Sequence, residues 1–136
     1  MAIGYGVLLP LHTTPTDGPF ALSTTMRQVA AQNLKMLVMT SPGERVWDLK
    51  FGVGIRNFLF WQNNAGTLAT IESRINEQVS KYIPYIQIQS IQFNKSGDLR
   101  VGPAMSDNFI SIQINYIVNP LGIGGVLTVP IGATAP

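Results

Sequence analysis

Lys and Arg together number 9, and Asp and Glu 7, in this 136-residue chain. Four of these charges, Glu44, Arg45, Asp48 and Lys50, crowd into one stretch, SPGERVWDLKFG at 41–52. Glu44 and Asp48 are the nearest approach to the paired carboxylates of a glycosidase, which stand roughly 5–10 Å apart in a cleft. Arg45 and Lys50 argue against that use. Adjacent cations hold both carboxylates ionised, whereas a general acid must keep its proton. The cluster is expected to be structural, and no residue is assigned a catalytic role.

The rest of the chain offers little other chemistry. His12 is the only histidine and Cys is absent, which excludes multi-histidine and thiolate metal sites. A Ser-His-Asp triad would have to recruit His12 from a Pro- and Gly-rich lead-in, and no G-x-S-x-G accompanies it. The glycines of FGVG and LGIGG lack the GK[ST] of a phosphate loop. Trp47 and Trp61 could be stacking platforms, but beside apolar neighbours they read as core or interface anchors. No cofactor is expected. Net charge is only +2 although the pI is 9.2. The cations are scattered, so no nucleic-acid groove is expected. No cation precedes Arg27, unlike a secretory signal, and runs such as LVM and FLFW are too short to span a bilayer. The reading is a soluble chain without a membrane partner. Charged residues make up 12%, about half the usual share of roughly 25%. Low charge makes surface cheaper to remove from water, which suits a subunit covered by neighbours.

The elements that position the cluster follow from spacing. Residues 1–22 hold several prolines and glycines and read as an extended N-terminal arm; 23–136 read as a single domain. Ser23, Thr24 and Thr25 are candidate caps for a helix near 25–40. Its core stripe would be Met26, Val29, Ala30, Leu34, Leu37 and Val38. Pro42 stops it, and Ser41-Pro42-Gly43-Glu44 fits a type II turn. Ile55, Phe58 and Leu59 mark one face of a short helix, broken at 63–66. Thr67 can cap a second long helix with the stripe Leu68, Ile71, Ile75, Val79 and Tyr82. Glu72, Arg74, Asn76, Glu77, Gln78 and Lys81 would form its solvated face. Pro84 ends it.

From Ile86 the period becomes two, with a phase slip at Gln89-Ser90 that predicts a β-bulge. Ser96-Gly97-Asp98 reads as a turn, followed by a short strand over 99–101. Ile110, Ile112, Ile114, Tyr116 and Val118 alternate with polar residues as a strand. After Asn119-Pro120 a last strand runs over 126–131. Pro130 cannot donate to a ladder, so that strand belongs at an edge. Helices followed by strands predict an α+β fold: two or three helices on one face of a small, mainly antiparallel sheet of three or four strands.

Within this frame Arg45 falls just past the first helix, where a cation is favoured by about 0.3–1 kcal/mol. It can also fork onto Asp48. Pro42, Gly43, Glu44, Arg45, Asp48, Phe51 and Gly52 would then form a structural corner.

The order of a helix, SPGERVWDLKFGVGIRNFLF, an amphipathic helix ending at a proline, and Ile-rich strands resembles the contractile-tail baseplate wedge family. That family includes the phage protein that initiates the tail sheath and its counterpart in type VI secretion systems. The likeness runs over 24–131 and rests on Pro42-Gly43-Glu44-Arg45, Phe51-Gly52 and Leu59-Phe60 in that order. Where the family has Glu-Pro-Arg, associated with docking onto the wedge core, this chain has Ile83-Pro84-Tyr85, so the contact would be apolar and aromatic. The resemblance implies a structural subunit, not an enzyme. It would link the baseplate to the first sheath ring and initiate sheath assembly by β-strand addition. The sheath-facing strands would carry Ile110, Ile112, Ile114, Tyr116, Val118, Val126, Thr128 and Ile131. Implied partners are the tail sheath protein, wedge core proteins and tube-proximal hub proteins. Six copies per baseplate and assembly in the host cytoplasm are implied as well. Two rival readings are a tail-associated muramidase and a small regulatory adaptor of the same fold.

Overall fold

The structure is a computed structural model that describes residues 4–9, 11–13, 15, 20–60, 64–95 and 110–130. The predicted turn at 96–98, the strand at 99–101, Trp61 and Ile131 lie outside them.

The chain opens with two short strands, β1 (Gly6–Val7) and β2 (Leu22–Ser23), paired antiparallel. The N-terminal arm therefore folds back on itself over part of its length. Backbone bonds from Tyr5 to Ser23, Leu8 to Ala21 and Ala21 to His12 extend the pairing. Gln32 fixes this hairpin to the next helix, accepting from the Leu9 N–H (3.1 Å) and donating to the Val7 carbonyl (3.1 Å).

Helix α1 spans Met26–Met39. Thr25 is the cap, its Oγ1 accepting from the Gln28 N–H at 3.3 Å, while the Gln28 side chain reaches back to the Thr24 N–H. Ala30, Leu34, Leu37 and Val38 are buried as the stripe predicts, but Met26 is exposed. A 3-10 helix covers Ile55–Phe60. Helix α2 (Ala65–Tyr82) begins earlier than Thr67: Asn64 is the cap, and Thr67 donates to its Oδ1 both its N–H, at 2.8 Å, and its hydroxyl, at 3.1 Å. An Asn side chain satisfies an orphan N–H as well as a Thr does.

The strands β3 (Ile86–Lys95), β4 (Ile110–Val118) and β5 (Ile123–Pro130) form an antiparallel meander in the order β3-β4-β5. The register between β3 and β4 shifts at Ile88/Ser90, the bulge the phase slip predicts. Helix α1 packs toward β5 and α2 toward β3. The core lies between them, built from Leu34, Leu37 and Val38 of α1, Ile71, Ile75 and Val79 of α2, and Ile112, Ile114, Tyr116 and Val118 of β4. The fold is α+β, as expected.

Candidate assembly surfaces: the corner loop and the sheet rim

The corner is built from the end of α1 outward. Gly43 has φ +89 and the Glu44 N–H donates to the Ser41 carbonyl at 3.1 Å, as a type II turn requires. Glu44 braces the turn, its Oε2 accepting the Ser41 N–H at 2.9 Å. The Gly43 N–H crosses the loop base to the Leu49 carbonyl at 2.8 Å. Beyond the loop the chain returns across the end of α1. The Val53 N–H reaches the Leu37 carbonyl (3.0 Å) and the Gly54 N–H the Thr40 carbonyl (2.9 Å). Two carbonyls at the helix end, those of Leu37 and Thr40, are thus closed by backbone. No bond from Arg45 reaches them among the described residues, so the expected cation at the helix end is not how this terminus is satisfied.

Gly52 explains why the returning segment is glycine-rich. Its φ is +106, and a Cβ there would collide with the Thr40 carbonyl oxygen. Its N–H donates to Oε1 of Gln78 at 3.0 Å, and Gln78 is buried. This corrects the placement of Gln78 on a solvated face. It stands three residues after Ile75 and seven after Ile71, so helix geometry puts it on the buried stripe.

The charges are arranged differently from the expected fork. The Arg45 guanidinium lies 4.0 Å from the Phe51 ring centroid, a cation–π contact. Phe51 meets Tyr82 edge to face at 4.9 Å. Asp48 takes its bonds from elsewhere: Oδ1 from the Lys50 N–H at 3.1 Å, Oδ2 from the Tyr82 hydroxyl at 2.7 Å. The Tyr82 hydroxyl is the main reason the Asp48 carboxyl sits below its ordinary pKa. Desolvation opposes the shift, and the Lys50 N–H and the charges of Lys81 and Arg45 reinforce it. The chemistry of this cluster ties the loop to α2.

The loop so held presents apolar side chains outward. Trp47 is 94% exposed, Val46 83% and Leu49 63%. They do not anchor the loop in this chain's own core, so of the two expectations for Trp47, core or interface anchor, the exposure excludes the first. A groove of about 700 Å³ runs beside them, lined by Pro42, Leu49, Lys50, Thr70, Arg74 and Glu77 among others. Among the described residues Glu77 is the one carboxylate on its lining, half of what a glycosidase needs.

The other predicted surfaces separate as well. Ile83 is the C-cap of α2, its N–H bonded to Val79, and belongs to the core; it is not available for docking. Pro84 and Tyr85 stay on the surface, where the Tyr85 hydroxyl accepts from Asn33 at 2.9 Å. Of the strand residues, Ile112, Ile114, Tyr116 and Val118 are core and β4 is paired on both sides. Ile110 pairs with Lys95 of β3. A strand flanked on both sides has no rim to offer, so the expectation that β4 faces a partner is corrected. Val126 and Thr128 lie on β5, which has a free rim among the described residues.

Pro130 sets the phase of that rim. It stands opposite Ser111. Proline has no N–H, so this pair cannot exchange two backbone bonds. Antiparallel pairs alternate, and the β4–β5 register is unbroken. Val129, Leu127 and Gly125 therefore bond to β4, while Thr128, Val126 and Gly124 turn their N–H and C=O groups outward.

A helix-on-sheet module with a braced loop and an open strand rim has the make-up of an assembly subunit. Residues 24–120 match the family Baseplate wedge protein gp25, and the chain belongs to that family. Two solved structures share the fold. One is the six-fold symmetrised cryo-electron microscopy structure of the anti-feeding prophage baseplate, at 23% identity and TM-score 0.66, with 82% of this chain and 82% of that chain covered. The other is a Geobacter sulfurreducens crystal structure provisionally described as a tail lysozyme. It is 22% identical with TM-score 0.62, and the match covers 85% of this chain and 99% of that one. No curated protein matches the chain. As a family member the protein is a structural component of a contractile-tail or tail-like baseplate, and its partners are other baseplate and tail proteins.

Proposed function

We propose that the protein links the baseplate to the first sheath ring and starts sheath assembly by accepting an extended segment of the sheath protein as a strand. The observation that carries this reading is the outward row of backbone groups on Gly124, Val126 and Thr128. An unpaired row of this kind binds a strand through main-chain bonds, with alternating side chains setting the register. The corner loop, with Val46, Trp47 and Leu49 outermost, and the Pro84-Tyr85 surface are the faces left for wedge core and hub proteins. Six copies per baseplate, assembled in the host cytoplasm, complete the reading. The test is imaging of tails made with Thr128→Pro, which removes one outward N–H and no β4 bond. Tubes on baseplates without sheath are the expected product. Fully sheathed tails carrying the folded variant would overturn the proposal.

The likeness to a structure described as a tail lysozyme keeps a second reading in view. The geometry does not favour it. Glu44 is engaged in bracing its turn, and the Tyr82 hydroxyl lowers the Asp48 pKa, against the requirement for a general acid. Clearing of a cell-wall suspension by the purified chain, lost in Glu44→Gln, would establish that activity. Absence of both clearing and sheath binding, with binding to some other protein, would point to the adaptor reading.

A further inference from the structure

A groove of about 600 Å³ lies alongside β5, lined by Leu8 and Leu9 of the N-terminal hairpin, Leu127 of β5, and α1 residues that include Lys35, Met36 and Met39. Its lining is mainly apolar, and Met36 and Leu9 are 47% and 44% exposed. The N-terminal hairpin and β5 both lie outside the residues matched by the family, 24–120. Most of the groove's lining is on α1, within the matched residues, while Leu8, Leu9 and Leu127 lie outside them, and Gln32 holds the hairpin to the helix.

Its position against the free rim says what would fill it. A strand added to β5 lies about 4.8 Å further out. Its residues opposite Gly124, Val126 and Thr128 take up the outward backbone groups. Side chains of directly opposed residues share a face of the sheet. The added residue opposite Leu127 therefore points where Leu127 points, toward α1 and into the groove. Resting on the reading that β5 accepts a strand, we infer that this groove is the specificity pocket for the incoming segment. It requires an aliphatic side chain opposite Leu127. Methionine walls adapt to more than one aliphatic shape. Pro130 fixes the end of the site: it offers a carbonyl but no N–H, so two-way pairing stops at Thr128.

The experiment measures binding of the full chain to the sheath protein of the same particle. Thr128→Pro tests the rim, Met36→Glu and Leu9→Glu test the groove, and Glu72→Lys, on the exposed face of α2, is the control. Loss of roughly tenfold or more in affinity is expected for the first three, the scale of a lost backbone bond or a charge placed in an apolar contact, with none for the control. Amide exchange on the wild-type complex gives a readout that needs no variant: Gly124, Val126 and Thr128 become protected on binding. If Thr128→Pro loses affinity while both groove variants bind normally, strand addition stands and the pocket falls. If Thr128→Pro binds normally and the three amides stay unprotected, the reading on which the pocket rests falls with it.

Discussion

The Tyr82 hydroxyl donates to Oδ2 of Asp48 across 2.7 Å, joining the last residue of α2 to a loop 34 positions earlier. Since this bond holds the Asp48 carboxyl below its ordinary pKa, the folded state favours the ionised form. The stabilisation is present above the unfolded carboxylate value, near 3.9, and is lost as pH falls through the lower folded value. Tyr82→Phe should therefore lower the urea midpoint at neutral pH, and the gap from wild type should shrink at about pH 2.5. A gap that is unchanged by acid would show that the hydroxyl does not act through the carboxylate.

Two glycines with positive φ separate strain from collision. Gly43→Ala meets nothing within 4 Å and should cost about 1–2 kcal/mol, the left-handed penalty alone. Gly52→Ala also drives a methyl group into the Thr40 carbonyl and should cost roughly 3 kcal/mol or more. Chemical denaturation of both variants checks the order; equal losses would contradict it.

Removing the Gln78 side chain leaves the buried Gly52 N–H without its acceptor. Gln78→Ala is expected to destabilise by about 1–3 kcal/mol. The neighbouring, exposed Glu77 should stay within about 0.5 kcal/mol on mutation to Ala. Thermal melting distinguishes the two.

Trp47 touches so little of its own chain that Trp47→Ala should move stability by less than about 0.5 kcal/mol. Its effect should appear in assembly, as weaker association with baseplate proteins in pull-down or sedimentation. A large fall in melting temperature would instead assign Trp47 an intramolecular role.

Both helices, the type II turn, the bulge and the alternation of β4 are legible in the sequence because each depends on local spacing or on one backbone rule. What is not legible depends on partners distant along the chain. Arg45 had Asp48 three residues away, but the Phe51 face takes the cation and Tyr82 takes the carboxylate. Gln78 reads as surface by type, although its position in the helix repeat marks it as inward. Strands of two residues, such as β1 and β2, carry no period at all. Nor does alternation along β4 reveal that it is the middle strand, because strand order is a property of the sheet. For β5 a local cue did suffice, since Pro130 restricts it to a rim.

The two outer strands are unequal. The shift at Ile88/Ser90 breaks the rhythm of β3, whereas β5 keeps its register from Ile123 to Pro130. An irregular border gives an approaching backbone no constant repeat to follow. On the proposed reading of strand addition, the unbroken flank at β5, and not the interrupted one at β3, is the side that receives a strand.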